Sequence, residues 1–184
     1  MGQFFVAIRN VQKTIEFQPD NPVLYGELGV LYHKNRNYET GILALECAVR
    51  GCTAEQSCPA RGDCGTGDVP AAVTGLPLSA STIYYYDIYA SELAALSTPK
   101  QSYCDRALAV ASEIEASEFG KDPNIAADIV VVRNICSNTP ETPTATTTAT
   151  TPESTATKTI KPAKPTVTKP AVLKTTPTAT PKSK

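Results

Sequence analysis

The feature that most constrains the fold is a pattern of apolar and small residues that returns after 34 residues. The first copy begins at Phe4 and the second at Tyr38, and within each copy the residues recur at steps of three and four, which is the spacing of one helix face. The matched positions are Phe4 and Tyr38, Ala7 and Gly41, Ile8 and Ile42, Val11 and Leu45, Thr14 and Ala48, Ile15 and Val49, and Pro19 and Thr53. A period of this length is typical of stacked helix–turn–helix units. The sequence therefore predicts an all-α solenoid of antiparallel helix pairs.

The segment between the two copies supplies the other helix of the unit. Asn21 is placed to cap it, and Pro22 suits its first position. Four residues of this helix match the pattern W-x2-L-G-x2-Y with Tyr for Trp, and three residues of the next helix occupy the matching small and apolar places. They are Tyr25, Leu28, Gly29 and Tyr32, followed by Gly41, Leu45 and Ala48. On these residues the chain resembles the tetratricopeptide repeat family. The resemblance implies a right-handed solenoid, packing roles for all seven residues, and a scaffold that binds protein or peptide.

Helical periodicity continues beyond the first unit. It predicts helices over 3–17, 22–34, 38–50, 82–96, 101–118 and 122–136, with a long Cys- and Gly-rich insertion over 52–80. Residues 129–132 would read as a strand in isolation, but the helical stripe through them favours a helix. The repeat domain is expected to span residues 1–136. The Thr-, Pro- and Lys-rich tail, residues 137–184, is expected to be disordered because it has too little apolar surface to offset the entropy of ordering.

Charge divides at the same boundary. Residues 1–136 carry 10 Lys and Arg against 16 Asp and Glu, whereas the tail carries 7 Lys against 2 Glu. Neither part has the basic, aromatic-rich pattern of a nucleic-acid site, so no nucleic-acid partner is expected. The tail is interpreted as a spacer. Its lysines are expected either to be simply solvated or to add weak contact with cell wall or a membrane surface. No stretch reaches the ~20 apolar residues of a membrane span.

Six cysteines in the expected repeat domain favour disulfides over free thiols or zinc. The spacing of Cys52, Cys58 and Cys64 does not fit the short pairs of a zinc site, and no cofactor is expected. Cys104 and Cys136 lie on consecutive predicted helices, within disulfide reach of each other. They are the preferred bridge. Cys47, Cys52, Cys58 and Cys64 are expected to pair among themselves, with connectivity left open.

The first predicted helix matches the second helix of a unit whose first helix is missing. We therefore expect the chain to be the C-terminal part of a longer exported protein, which would place it outside the cytoplasm or on the cell surface. If Met1 were the true start, the alternative is a cytoplasmic protein with an atypical capping helix.

The resemblance also indicates where a ligand would bind, because first helices line the concave face in this family. The residues expected to face it are Glu27, Val30, His33, Lys34, Tyr84 and Tyr85. Family members that clamp a C-terminal carboxylate have Lys and Asn where this chain has Gly26 and Val30, so that partner class is not supported. The sequence predicts a non-catalytic binding scaffold displayed on the Thr/Pro-rich stalk. The alternative is an accessory region of a larger enzyme or cell-envelope assembly.

Overall fold

A computed structural model describes residues 2–62 and 69–138, and these residues form an α-helical stack. The helices are α1 (Gly2–Phe17), α2 (Pro22–Lys34), α3 (Tyr38–Val49), α4 (Ala54–Ala60), α5 (Ile83–Ala95), α6 (Cys104–Ala116) and α7 (Pro123–Asn138), with a short 3₁₀ turn at Glu118–Lys121. All six predicted helices are present, and their bounds agree to within three residues. The all-α fold class is confirmed, and the valine-rich segment lies inside α7. The tail beyond residue 138 and Cys64 lie outside the described residues.

Helices α2 and α3 pack as a close antiparallel pair. The Asn21 side chain accepts a hydrogen bond from the Val23 amide at 3.1 Å, which caps α2. Gly29 allows the two helices to approach closely, because a Cβ built there would lie 2.5 Å from Leu45 Cγ. The small residue of the repeat pattern is therefore required by backbone proximity.

Helix α3 separates two apolar clusters. Ala44, Cys47 and Ala48 pack with buried residues of α1, α2 and α4. The opposite side of α3, with Ile42 and Leu45, packs into the larger cluster formed by α5, α6 and α7. Each helix thus buries apolar surface against the next, as a stacked repeat requires.

Helix α5 is the centre of the second half. It packs against α3 and α2 on one side and against α6 and α7 on the other. The structure joins α6 to α7 through a disulfide between Cys104 and Cys136, with Cα atoms 5.3 Å apart. This is the pair that the sequence analysis preferred.

The insertion predicted over 52–80 is more ordered than a loop. It contains α4, which begins with a capping box in which the Thr53 side chain accepts from the Gln56 amide and the Gln56 side chain accepts from the Thr53 amide. Further on, Cys52 and Val73 exchange two backbone hydrogen bonds, and the Leu76 amide donates to the Ala48 carbonyl at 2.8 Å. The capping box starts α4, and the backbone hydrogen bonds of Val73 and Leu76 bring the end of the insertion back beside the end of α3.

The structure also resolves a connectivity that the sequence left open. Cys47 at the end of α3 is bonded to Cys52, with Cα atoms 4.8 Å apart. Cys58 is disulfide-bonded as well, and no described cysteine is a free thiol.

Candidate functional site

A cavity of about 350 Å³ opens where α1, α2 and α5 meet. We call it the first cavity; its lining residues are Val11, Glu27, Val30, Leu31, Tyr84 and Tyr85. Its walls are almost wholly apolar, and Glu27 is the charged residue among them. Tyr84 is 47% exposed, which is high for a large aromatic side chain beside a cavity. Such a surface suits an apolar side chain of a ligand.

The floor of the first cavity depends on a glycine in α2. A Cβ built at Gly26 would lie 2.6 Å from Tyr85 Cε2, so the ring rests where any larger residue would place its side chain. Burial raises the pKa of the Tyr85 hydroxyl, and the nearby negative charge of Glu27 raises it further. Tyr85 is therefore a neutral, fixed wall of the cavity.

A second cavity also has Tyr84 in its lining. It has a volume of about 270 Å³, and its lining residues are Ile83, Tyr84, Phe119, Asp122, Asn124 and Ile125. The first turn of α5, the 3₁₀ turn and the first turn of α7 supply these side chains. Tyr84 thus belongs to both cavities.

His33 and Lys34, both predicted for the binding face, do not line either cavity. His33 Nδ1 lies 3.1 Å from Glu92 Oε1, and its ring lies 5.5 Å from that of Tyr38. Glu92 is 1% exposed, and its Oε2 is a buried atom without a hydrogen-bond partner. Burial raises the pKa of the Glu92 carboxyl to about 8. Burial, helped by the charge of Lys34, lowers the pKa of His33. Near neutral pH the contact is therefore a hydrogen bond from a neutral carboxyl to a neutral imidazole, which is a packing role.

The residues of the repeat pattern lie in the helix-packing interfaces. Tyr25, Leu28, Gly29, Tyr32, Gly41, Leu45 and Ala48 are all buried. The Tyr25 hydroxyl donates to the Pro19 carbonyl at 3.0 Å, and the Tyr32 hydroxyl accepts from Gln12 Nε2 at 3.1 Å. The two tyrosine hydroxyls therefore form hydrogen bonds within the helical stack.

Sequence reasoning missed part of the site. Val11 and Leu31 in the first cavity were assigned to packing or left unassigned, and the second cavity was not anticipated. A helical stripe identifies the buried face of one helix, but it does not show which flanking residues meet across three helices. Only the aromatic run at Tyr84 and Tyr85 carried a usable signal.

The described part of the chain holds neither a metal-binding cluster nor a membrane-spanning helix. Within residues 2–62 and 69–138, no group of three or more His, Cys, Asp or Glu side chains is placed to hold a metal ion. None of the helices described there is long and apolar enough to cross a membrane.

The stacked pairs, the close glycine contact and the apolar cavity between adjacent units define an α-helical repeat protein. The sequence model of the tetratricopeptide repeat family matches residues 11–42, which cover the second half of α1, all of α2 and the start of α3. Over these residues the chain is similar to one tetratricopeptide repeat. Comparison with curated proteins and with solved structures gives no match. Similarity to this repeat suggests a protein–protein interaction scaffold.

Proposed function

We propose that this protein is a non-catalytic scaffold that binds a protein or peptide segment in the first cavity. That cavity lies between α2 and α5, which by the family resemblance are the first helices of their units, and first helices are expected to line the concave face. The observation that carries the proposal is the exposed ring of Tyr84 beside an apolar cavity that no side chain of the described residues fills.

The energetic argument rests on the aromatic pair. A rigid aromatic side chain presents a large contact area and loses little rotamer entropy on binding, so such residues often dominate binding energy. Tyr85 is held against Gly26 and Tyr84 is free to contact a ligand. Tyr85 is therefore organised before a ligand arrives, which lowers the cost of binding.

The proposal is tested with a random dodecapeptide phage library selected on the immobilised full chain. The affinity of each selected peptide is then measured for the wild type and for Tyr84→Ala with Tyr85→Ala. We expect a loss of about 2 kcal/mol in the double variant, as for buried aromatic anchors. Phe17→Ala is the matched control, because Phe17 is 83% exposed and lies outside both cavities. Unchanged affinity in the double variant would contradict the proposal.

We further propose an oxidising, extracytoplasmic setting, supported by the disulfides Cys47–Cys52 and Cys104–Cys136. The composition of residues 137–184 supports a stalk that displays the repeat domain and contacts cell wall or a membrane surface through its lysines. Deleting residues 139–184 should leave the affinity for a selected peptide unchanged. A large loss on deletion would place the binding determinants in the tail.

A further inference from the structure

We refer to the two cavities together as the track, because Tyr84 belongs to the lining of both. Tyr84 lines both the first cavity, with Glu27 and Tyr85, and the second, with Phe119 and Ile125. A ligand that occupies both cavities contacts Tyr84 in each of them. The smaller volume of the second cavity, about 270 Å³ against about 350 Å³, suits a single apolar side chain.

The charges of the track have one sign. Each cavity has one charged residue in its lining, Glu27 in the first and Asp122 in the second, and both are exposed. Asp122 Oδ1 accepts from the Asn124 amide at 2.9 Å and from the Ile125 amide at 3.3 Å, which fixes the carboxylate at the start of α7. Residues 1–136 as a whole carry an excess of six acidic groups. A cationic ligand is therefore attracted at the two cavity rims.

We infer that the ligand is a basic peptide segment with two apolar side chains that straddle Tyr84. This inference rests on the proposed function and specifies its partner. One apolar side chain enters each cavity, while Lys or Arg residues beside them lie opposite Glu27 and Asp122. An acidic segment is disfavoured, because its carboxylates would face these two without a compensating cation.

The same library selection tests the inference through the sequences it enriches. We expect two apolar positions at a constant spacing, an excess of Lys and Arg next to them, and a depletion of Asp and Glu. Binding should weaken as salt is raised, because exposed charge pairs are screened.

Two variants then test the two parts separately. Glu27→Lys should weaken a selected peptide about tenfold, and changing the adjacent peptide Lys to Glu should restore the affinity. Glu39→Lys is the matched control, since Glu39 is exposed on α3 and lines neither cavity.

Asn124→Trp places an indole at the second cavity from an exposed position. It should weaken a peptide with both apolar side chains but not one whose second apolar residue is Ala. The melting temperature of each variant shows that the fold is retained.

The outcomes separate the inference from the proposed function. Selected peptides that need Tyr84 and Tyr85 but show no basic excess, or that respond equally to Glu27→Lys and Glu39→Lys, would overturn the charge assignment while the binding site stands. If Asn124→Trp leaves the affinity of every selected peptide unchanged, the second cavity does not take part in binding. If the selected peptides bind the Tyr84→Ala, Tyr85→Ala variant as tightly as the wild type, the proposed function and the inference are both overturned.

Discussion

The pair α2–α3 and the group α5–α7 solve the same packing problem by different means. In the first pair, a three-residue connection and Gly29 bring the backbones together, and every charged side chain on the two helices is exposed or half-buried. In the second group, a longer connection separates α5 from α6, and a disulfide joins α6 to α7. Helix α5 also buries two carboxyl groups, Asp87 and Glu92.

The difference teaches which perturbation each half is sensitive to. Stability that comes from close backbone approach responds to side-chain volume. Stability that comes from a covalent link and from neutral buried acids responds to redox state and pH. Burial, then the charge and hydrogen bond of Asp128, raises the pKa of Asp87 to about 7. We therefore expect acid–base and redox effects to be concentrated in α5–α7.

The largest expected effect is the loss of the α6–α7 disulfide. Cys104→Ala with Cys136→Ala opens a loop with a sequence separation of 32. Chain-entropy arithmetic assigns such a loop about 3.5 kcal/mol of stability. Urea unfolding of the oxidised protein measures the change.

The matched control is Cys47→Ala with Cys52→Ala, whose bridge has a separation of only 5. The same arithmetic gives about 2 kcal/mol for it. An equal or larger loss in the control would show that the two halves do not differ in their dependence on a covalent link.

A smaller loss is expected from Gly29→Leu in the first pair. The new Cβ would lie 2.5 Å from Leu45 Cγ and 3.2 Å from the Leu45 amide nitrogen, so α2 and α3 must separate. Overpacking of this kind costs about 2–3 kcal/mol. Thermal and urea unfolding measure it.

Ala109→Leu adds the same side chain at an exposed position of α6 and should change stability little. If Gly29→Leu were equally mild, close approach would not be what holds the first pair together.

The sequence predicted the regular parts of the fold because each helix has its own local signals. Asn21 and Pro22 mark the start of α2, and the small residue Gly29 marks a close packing contact. Helix α4 was missed because its seven residues hold no apolar periodicity and include Pro59. Its Thr53–Gln56 capping box was a readable signal within a segment taken as loop.

The candidate site was only partly predictable for a different reason. Of the residues that the family resemblance indicated, Glu27, Val30, Tyr84 and Tyr85 line the first cavity, and their role in binding stays a prediction. His33 turns instead to Glu92, a contact across 59 residues of sequence that depends on how α5 packs on the first pair. Long-range packing of that kind leaves no trace in the spacing of residues along one helix.

The third prediction concerns the buried acid of α5. The pKa of Glu92 is about 8 in the folded protein and 4.5 as a free side chain, so the folded state holds the proton more tightly. The stability contributed by the neutral carboxyl is full below pH 4.5 and is lost as pH rises toward 8. Glu92→Gln keeps the shape without the titration. It should have little effect at pH 5 and should stabilise the protein by at least about 2 kcal/mol at pH 8, since the shift spans more than three pKa units of about 1.4 kcal/mol each.

Glu46→Gln on α3 is the control, because Glu46 is half-buried and pairs with Arg106 at 2.8 Å. Its removal should not produce the same gain at pH 8. Denaturation curves at pH 5 and pH 8 make the comparison, and a loss of stability for Glu92→Gln at pH 8 would mean that His33 and Glu92 form an ion pair.

The smallest expected effect sharpens the comparison at the end of α2. There the Arg36 amide donates to the His33 carbonyl and the Asn37 amide to the Tyr32 carbonyl, an arrangement that puts Arg36 at φ 61°. A left-handed conformation costs a residue with a side chain about 1–2 kcal/mol, whereas Gly adopts it freely but loses about 0.5–1 kcal/mol more entropy on folding. Arg36→Gly should therefore stabilise the protein by about 0.5–1 kcal/mol in urea unfolding. Asn35→Gly is the control, because Asn35 has φ −88° and gains nothing from the exchange. Equal responses of the two variants would show that the turn at Arg36 is not strained.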